Sequence, residues 1–196
     1  MKLHEGNSLA VAGAPVTQHA DGTWRKDEFT FRVLQDFAVE ARVLSTARYS
    51  ADIAARLCPV DLALGWGAMA KPDIIRHFSV HQSGRWYYWQ CNDDLPIPQR
   101  EVEISSANMH LIPSTAELDG KLKSISRGQM IRFSGKLVEV TMENGWRWTS
   151  STTREDVGQG SCEVIYVEKL DIIPETEATH PGVPALRVSQ PLRVSH

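Results

Sequence analysis

Two histidines four residues apart, His77 and His81, have a spacing that suits shared binding of a metal ion. On one face of a helix, such a pair can share a zinc ion. Phe78 and Val80 instead alternate as in a strand, where four residues span about 13 Å, too far for two ligands of one ion. No short Cys–His spacing indicates a metal elsewhere, so the sequence predicts neither a metal nor another cofactor.

Nucleophilic chemistry has little support in the sequence. Ser83 precedes Gly84 in a turn, but the flanking residues do not match the Gly-x-Ser-x-Gly elbow of hydrolases. Three widely spaced cysteines without a local signature are interpreted as small apolar side chains: Cys58, Cys91 and Cys162. The enzyme alternative is a hydrolase in which a carboxylate works with one of three histidines: His77, His81 or His110.

Aromatic rings and guanidinium groups occur together in residues 85–89 (RWYYW) and 146–148 (WRW). Such sets can stack single-stranded bases or sugar rings. In a strand, alternate side chains point to opposite faces, so Trp86 and Tyr88 could be core while Tyr87 and Trp89 cover the second face. By the same rule, residues 146 and 148 should share a core face, with the arginine between them on the other.

By elimination, the leading interpretation is a non-catalytic binding or accessory module with a protein partner. Glycine-rich loops on a β scaffold commonly carry binding residues, and residues 65–67 and 154–160 are such loops. The second alternative is a single-strand nucleic-acid or carbohydrate binder of the oligonucleotide/oligosaccharide-binding (OB) type. The candidate binding residues are Trp66, Arg85, Tyr87, Trp89, Arg147 and Arg154.

Period-two alternation of apolar residues is the commonest pattern along the chain. It predicts strands around residues 29–33 and 39–43. Ser50 is predicted to cap a short helix through Leu57, and Asp61 to cap a second helical turn that runs into Gly65. This stretch is therefore interpreted as a helical insertion.

The middle of the chain predicts a short helix from Pro72, followed by a hairpin in which residues 78–82 and 85–89 flank the turn at Ser83-Gly84. Residues 101–112 are typical of another strand. The spacing of Ser114 and Glu117 predicts a capping box for a helix that ends near residues 127–128.

The last third predicts three neighbouring strands, residues 129–140, 145–151 and 162–172, with a tight turn at Asn144-Gly145 and a bulge at Gly135. These elements favour a mainly β (α+β) domain, a small OB-like or related β-barrel with short helical insertions, over a β-sandwich. The domain is expected over residues 27–173, between flexible tails at residues 1–26 and 174–196.

Composition limits the function classes further. The chain has 196 residues, of which 42% are hydrophobic and 23% charged, as in a folded single domain. A net charge of -3 argues against dedicated duplex binding, which needs a basic excess. No stretch approaches the ~20 apolar residues that span a bilayer.

The chain resembles a bacterial protein family without an established activity. Four segments carry the resemblance: residues 59–67 (PVDLALGWG), 82–87 (QSGRWY), 106–113 (SANMHLIP) and 147–163. The similarity spans about residues 28–170 and implies no catalytic residue or cofactor. Members of that family look like envelope proteins with a hydrophobic N-terminal segment. The resemblance implies either a soluble version or a periplasmic ectodomain whose anchor is not in this chain.

Overall fold

The computed structural model describes residues 16–19, 22–91, 94–153 and 162–174. The fold is mainly β, as predicted. The strands are β1 (Val16–His19), β2 (Thr23–Lys26), β3 (Phe29–Arg48), β4 (Val60–Gly65), β5 (Phe78–Ser83), β6 (Trp86–Cys91), β7 (Ser106–Pro113), β8 (Met130–Met142), β9 (Arg147–Thr149) and β10 (Glu163–Ile173). The helices are α1 (Pro72–Ile75), α2 (Gln99–Ile104) and α3 (Ala116–Ser124), with 3₁₀ turns at Ala54–Arg56 and Gly67–Ala70.

Five strands pair in a closed ring, in the order β3-β4-β7-β10-β8 and back to β3. All pairs in the ring are antiparallel except β7 with β10, which is parallel. The ring closes because β3, 20 residues long, pairs with β4 along one part and with β8 along another. The largest apolar cluster is contributed by all five strands and by α3, so we place the main core inside the ring.

The two strands predicted around residues 29–33 and 39–43 are one continuous strand, β3. Its pairing with β8 shifts between Val33 and Gln35, which leaves Leu34 as an extra residue. An extra residue moves every later side chain to the opposite face. Phe31 therefore packs in an outer cluster, whereas Phe37 packs inside the ring.

The helical insertion predicted from Ser50 is wrong for residues 60–65, which form β4. Every residue of β4 is buried, because one face lines the ring and the other is covered. A strand buried on both faces lacks the polar alternation that identifies strands in a sequence. Of the predicted helix before it, only the Ala54–Arg56 turn forms.

Two further regions differ from the prediction. Residues 101–112 divide into the end of α2 and strand β7. Helix α3 is capped by Thr115 rather than Ser114, with the Thr115 hydroxyl accepting a 3.2 Å hydrogen bond from the Leu118 amide, and it ends at Ser124. The predicted start of α1 at Pro72 and the hairpin of β5 and β6 are confirmed.

The prediction of three neighbouring strands in the last third is confirmed, since β8 pairs with both β9 and β10. The bulge predicted at Gly135 lies instead on the partner strand, where Glu168 is the extra residue. Gly135 is needed because the backbone of β10 lies close to it: a Cβ at this position would collide with the carbonyl oxygen of Tyr166.

Other predictions concern the ends of the chain. Strands β1 and β2 lie within residues 1–26, predicted as a tail, and both pair with β3. The loop at residues 154–160 and nearly all of the predicted C-terminal tail lie outside the described residues. Among the helices that are described, none has the length and apolar character needed to cross a membrane.

Candidate functional site

Polar side chains line the outer face of the ring across β4 and β7. Alternation sends Leu62 and Met109 into the ring core, so Asp61 and His110, which pair directly across the two strands, point outward. All the outward polar residues of this face are buried: Asp61, Ser106, Asn108 and His110. Buried polar groups need partners, and the covering hairpin of β5 and β6 supplies most of them.

The Asp61 carboxylate is the centre of this polar layer. Its side chain is 0% exposed, and Oδ1 accepts hydrogen bonds from the Arg85 guanidinium at 2.9 Å and from the Cys58 thiol at 3.2 Å. The other oxygen, Oδ2, lies 3.0 Å from His110 Nδ1 without the alignment of a hydrogen bond. A buried carboxylate is costly unless it is paired, so Asp61 requires Arg85.

The Arg85 guanidinium bridges two carboxylates of different exposure. Nε and Nη2 form a fork on Asp52, which is half-exposed, at 3.2 and 2.9 Å, while Nη1 donates to buried Asp61 and to the Cys58 carbonyl. The guanidinium carbon lies 4.0 Å from the Tyr49 ring centre and 5.5 Å from that of Trp148. Planar donors matched to carboxylates and aromatic faces make this an arginine-specific environment.

Burial and charge shift the pKa values of this group. The hydrogen bond from Arg85 lowers the pKa of Asp52. Burial acts to lower the pKa of Arg85, but the hydrogen bond to Asp52 and the charge of Asp61 outweigh it, so the pKa is raised. Burial, assisted by the charge of Asp61, raises the pKa of the Cys58 thiol well above its usual value.

The backbone of Arg85 is also held in place. Gly84 and Arg85 have φ values of +58° and +69°, the signature of a type I′ hairpin turn, whose second position favours glycine. An arginine in this conformation costs about 1 kcal/mol and persists where its surroundings hold it. Here its amide donates to the Tyr49 hydroxyl at 3.1 Å, and its carbonyl accepts from Asn108 at 3.0 Å.

Further contacts attach the rest of the hairpin to β7. Gln82 Nε2 donates to Asn108 Oδ1 at 2.6 Å, and the Tyr87 hydroxyl lies 3.2 Å from the Ser106 hydroxyl. Apolar side chains complete the inner face of the hairpin: Phe78, Val80, Tyr87 and Trp89. The inner face of the hairpin therefore packs against the ring.

The opposite face of the hairpin is open to solvent. Tyr88 is 48% exposed and its ring stacks on that of His81, with centroids 5.2 Å apart. Trp86, two residues before Tyr88 on the same face, is half-buried. The remaining positions on this outer face, from Ser79 to Gln90, carry no Lys, Arg, Asp or Glu. We call Trp86, Tyr88 and His81 the aromatic surface.

The candidate residues from the sequence are spread over several environments. Trp66 is buried in the ring core, Tyr87 and Trp89 face inward, and Arg85 lies in the polar layer. Arg147 is exposed and pairs with Glu139, while Arg154 lies outside the described residues. Trp146 and Trp148 do share a face, with ring centroids 6.2 Å apart, and both are partly buried.

The three candidate histidines lie in different places. His77 precedes β5, His81 lies on the aromatic surface, and His110 lies beneath the hairpin. The ligand atoms of Cys58, Asp61 and His110 are within 4.8 Å of one another, a set of side chains that zinc uses. A metal ion here would compete with the Arg85 guanidinium for Asp61.

Sequence reasoning missed Tyr49, Asp52, Asp61 and Asn108. The one available signal was Asp61, a charged residue in the apolar run VDLAL. Its partner His110 is 49 residues away in the chain, and only the pairing of β4 with β7 joins them. Comparison with protein-family models, curated proteins and solved structures finds no match, so the family resemblance stays a prediction.

Proposed function

We propose that this protein is a non-catalytic binding module with an OB-like barrel, which binds a protein partner through the aromatic surface of the β5–β6 hairpin. The observation that carries the proposal is an exposed Tyr88, stacked on His81, on a hairpin whose inner face is anchored by buried polar contacts. A rigidly held aromatic surface loses little conformational freedom on binding.

The strand connectivity supports the OB-like barrel. The ring has five strands, one parallel pair, and a helix, α3, between its third and fourth strands in chain order. OB barrels bind oligonucleotides or oligosaccharides on the face of their second and third strands. In this chain those strands are β4 and β7, and their outer face is covered by the hairpin.

The chemistry of the aromatic surface favours a protein over a nucleic acid. Tyr and Trp are enriched among the residues that dominate binding energy at protein interfaces. Single-strand binders combine aromatic rings with a positively charged groove for the phosphates. The outer face of the hairpin carries no Lys or Arg, and the whole chain has a net charge of -3.

The polar layer supports a structural and not a catalytic role for its residues. Cys58 is fully buried and its raised pKa keeps the thiol protonated, so it is a poor nucleophile. Asp61 is fully buried, and its carboxylate is already paired with the Arg85 guanidinium.

The test is photo-crosslinking in cells with p-benzoylphenylalanine at position 88, and with the same residue at exposed position 143 as the matched control. We expect a discrete adduct only from position 88. The adduct is identified by mass spectrometry, and its partner is purified for Kd measurement with wild type, Tyr88→Ala and Glu143→Ala. At least tenfold weaker binding is expected for Tyr88→Ala alone.

Three results would overturn the proposal. The first is equal crosslinking from both positions, and the second is a purified partner whose Kd is the same for wild type and Tyr88→Ala. The third is binding of oligo(dT) or of a defined glycan that is lost in Tyr88→Ala, because the aromatic surface would then be a stacking platform for that ligand.

A further inference from the structure

The contacts of Arg85 describe a complete receptor for a guanidinium group. Its walls are the Tyr49 ring, 4.0 Å from the guanidinium carbon, and the Trp148 ring at 5.5 Å. Its acceptors are the forked Asp52 carboxylate, the buried Asp61 carboxylate and the Cys58 carbonyl, at 2.9–3.2 Å. Four N–H donations and two aromatic rings fit a planar fork far better than a point charge.

The receptor residues are independent of the residue that occupies the site. Tyr49, Asp52, Cys58 and Asp61 belong to β4 and to the segment between β3 and β4, and Trp148 belongs to β9, whereas Arg85 comes from the turn of the hairpin. The pocket also has an entrance: the Asp52 side chain is half-exposed, whereas that of Asp61 is fully buried. A ligand therefore enters from the Asp52 side.

The backbone conformation at Arg85 shows that the contacts of its guanidinium outweigh the preference of the turn for glycine. A type I′ turn would accept glycine at this position without strain, yet arginine is held there at φ +69°. Removal of the guanidinium would leave Asp61 buried and without its cation. The presence of arginine at residue 85 is therefore explained by the guanidinium receptor and not by the turn.

We propose that the pocket formed by Tyr49, Asp52, Asp61 and Trp148 is a guanidinium-binding site, which takes arginine side chains and other alkylguanidinium ions and is occupied by Arg85. The site is separate from the aromatic surface, so this proposal does not depend on the function proposed above.

Arg85→Gly empties the site while suiting the turn. The probes are N-ethylguanidinium and, as the matched cation without a planar fork, propylammonium, compared at equal ionic strength by thermal unfolding. We expect saturable stabilisation of Arg85→Gly by N-ethylguanidinium only, and none of the wild-type protein. Ligand at 100 times its Kd shifts the folding equilibrium by about 100-fold.

Control variants separate a specific site from general ionic effects. Arg85→Gly combined with Asp61→Asn should lose the response, whereas Arg85→Gly combined with Asp171→Asn, an exposed carboxylate, should keep it. If Arg85→Gly does not fold without ligand, refolding yield replaces thermal unfolding, with a gain from N-ethylguanidinium alone as the expected result. Equal responses to the two cations, or no response in either assay, would overturn the proposal.

Discussion

Arg85 Nη1 and Asp61 Oδ1 lie 2.9 Å apart, and this ion pair joins the hairpin to the outer face of the ring. The two side chains are 15% and 0% exposed. Solvent therefore screens the pair little. Because each partner leaves a buried charge when the other is removed, the pair makes hairpin docking and ring stability depend on each other.

Removing the charge of Asp61 tests this dependence. Asp61→Asn should lower the free energy of unfolding by about 3 kcal/mol, since it leaves the buried Arg85 guanidinium without one of its two anions. Asp171→Asn, which removes an exposed partner of Lys121, should cost less than about 0.5 kcal/mol. Urea unfolding measures both, and an Asp61→Asn protein as stable as Asp171→Asn would contradict the structure.

Acid should weaken the fold through Asp52. Its pKa lies below the ordinary value of 3.8 in the folded protein, so its contribution is complete above 3.8. That contribution is lost as the pH falls below 3.8 through the folded-state pKa, because the unfolded chain then binds the proton more readily. Wild type should lose stability more steeply in this range than Asp52→Asn.

Urea unfolding over a series of acidic pH values measures the difference, with Glu143→Gln as an exposed carboxylate control that should follow wild type. Superimposable pH profiles for wild type and Asp52→Asn would show that the fork between Arg85 and Asp52 contributes nothing to stability.

Cys58 should be the least reactive of the three thiols. It is fully buried, and its raised pKa leaves almost no thiolate at pH 8. Iodoacetamide labelling of the native protein, followed by mass spectrometry, should modify Cys91 and Cys162, which are partly exposed, well before Cys58. All three should react in urea, and native labelling of Cys58 at the rate of Cys91 would refute its protonated, buried state.

Trp148 should contribute to stability from its partly buried position. Its ring lies 4.8 Å from that of His110 and beneath the Arg85 guanidinium, so Trp148→Ala removes contacts on both. A loss of about 3 kcal/mol is expected, at the lower end for a large aromatic truncation. Arg147→Ala, on the opposite face of β9, is the control and should cost under about 1 kcal/mol.

The purified protein should carry no stoichiometric transition metal. Among the described residues, one cluster has ligand atoms close enough to hold a metal ion: Cys58, Asp61 and His110. The Arg85 guanidinium already binds the Asp61 carboxylate of this cluster. Elemental analysis is the measurement. About one zinc per chain, retained in His77→Ala but lost in His110→Ala, would place the metal in the polar layer. Zinc and not the Arg85 guanidinium would then be the cation that pairs with Asp61.

Local sequence patterns are enough to predict the mainly β class and the elements that carry local signals. The alternation of β5, the glycine of its turn, Pro72 at α1 and Asn144-Gly145 between β8 and β9 each act over a few residues, so short patterns predict them. The shared face of Trp146 and Trp148 follows from the same period of two.

The location of the polar site, in contrast, depends on contacts between segments that are distant in the chain. The helical prediction for β4 is wrong because the hairpin covers the outer face of this strand, and burial under a distant segment leaves no period in the local sequence. The contact of Asp61 with His110 depends on the register of two strands, and its contact with Arg85 depends on how the hairpin docks. Register and docking arise from packing summed over the whole ring, which no window of neighbouring residues contains.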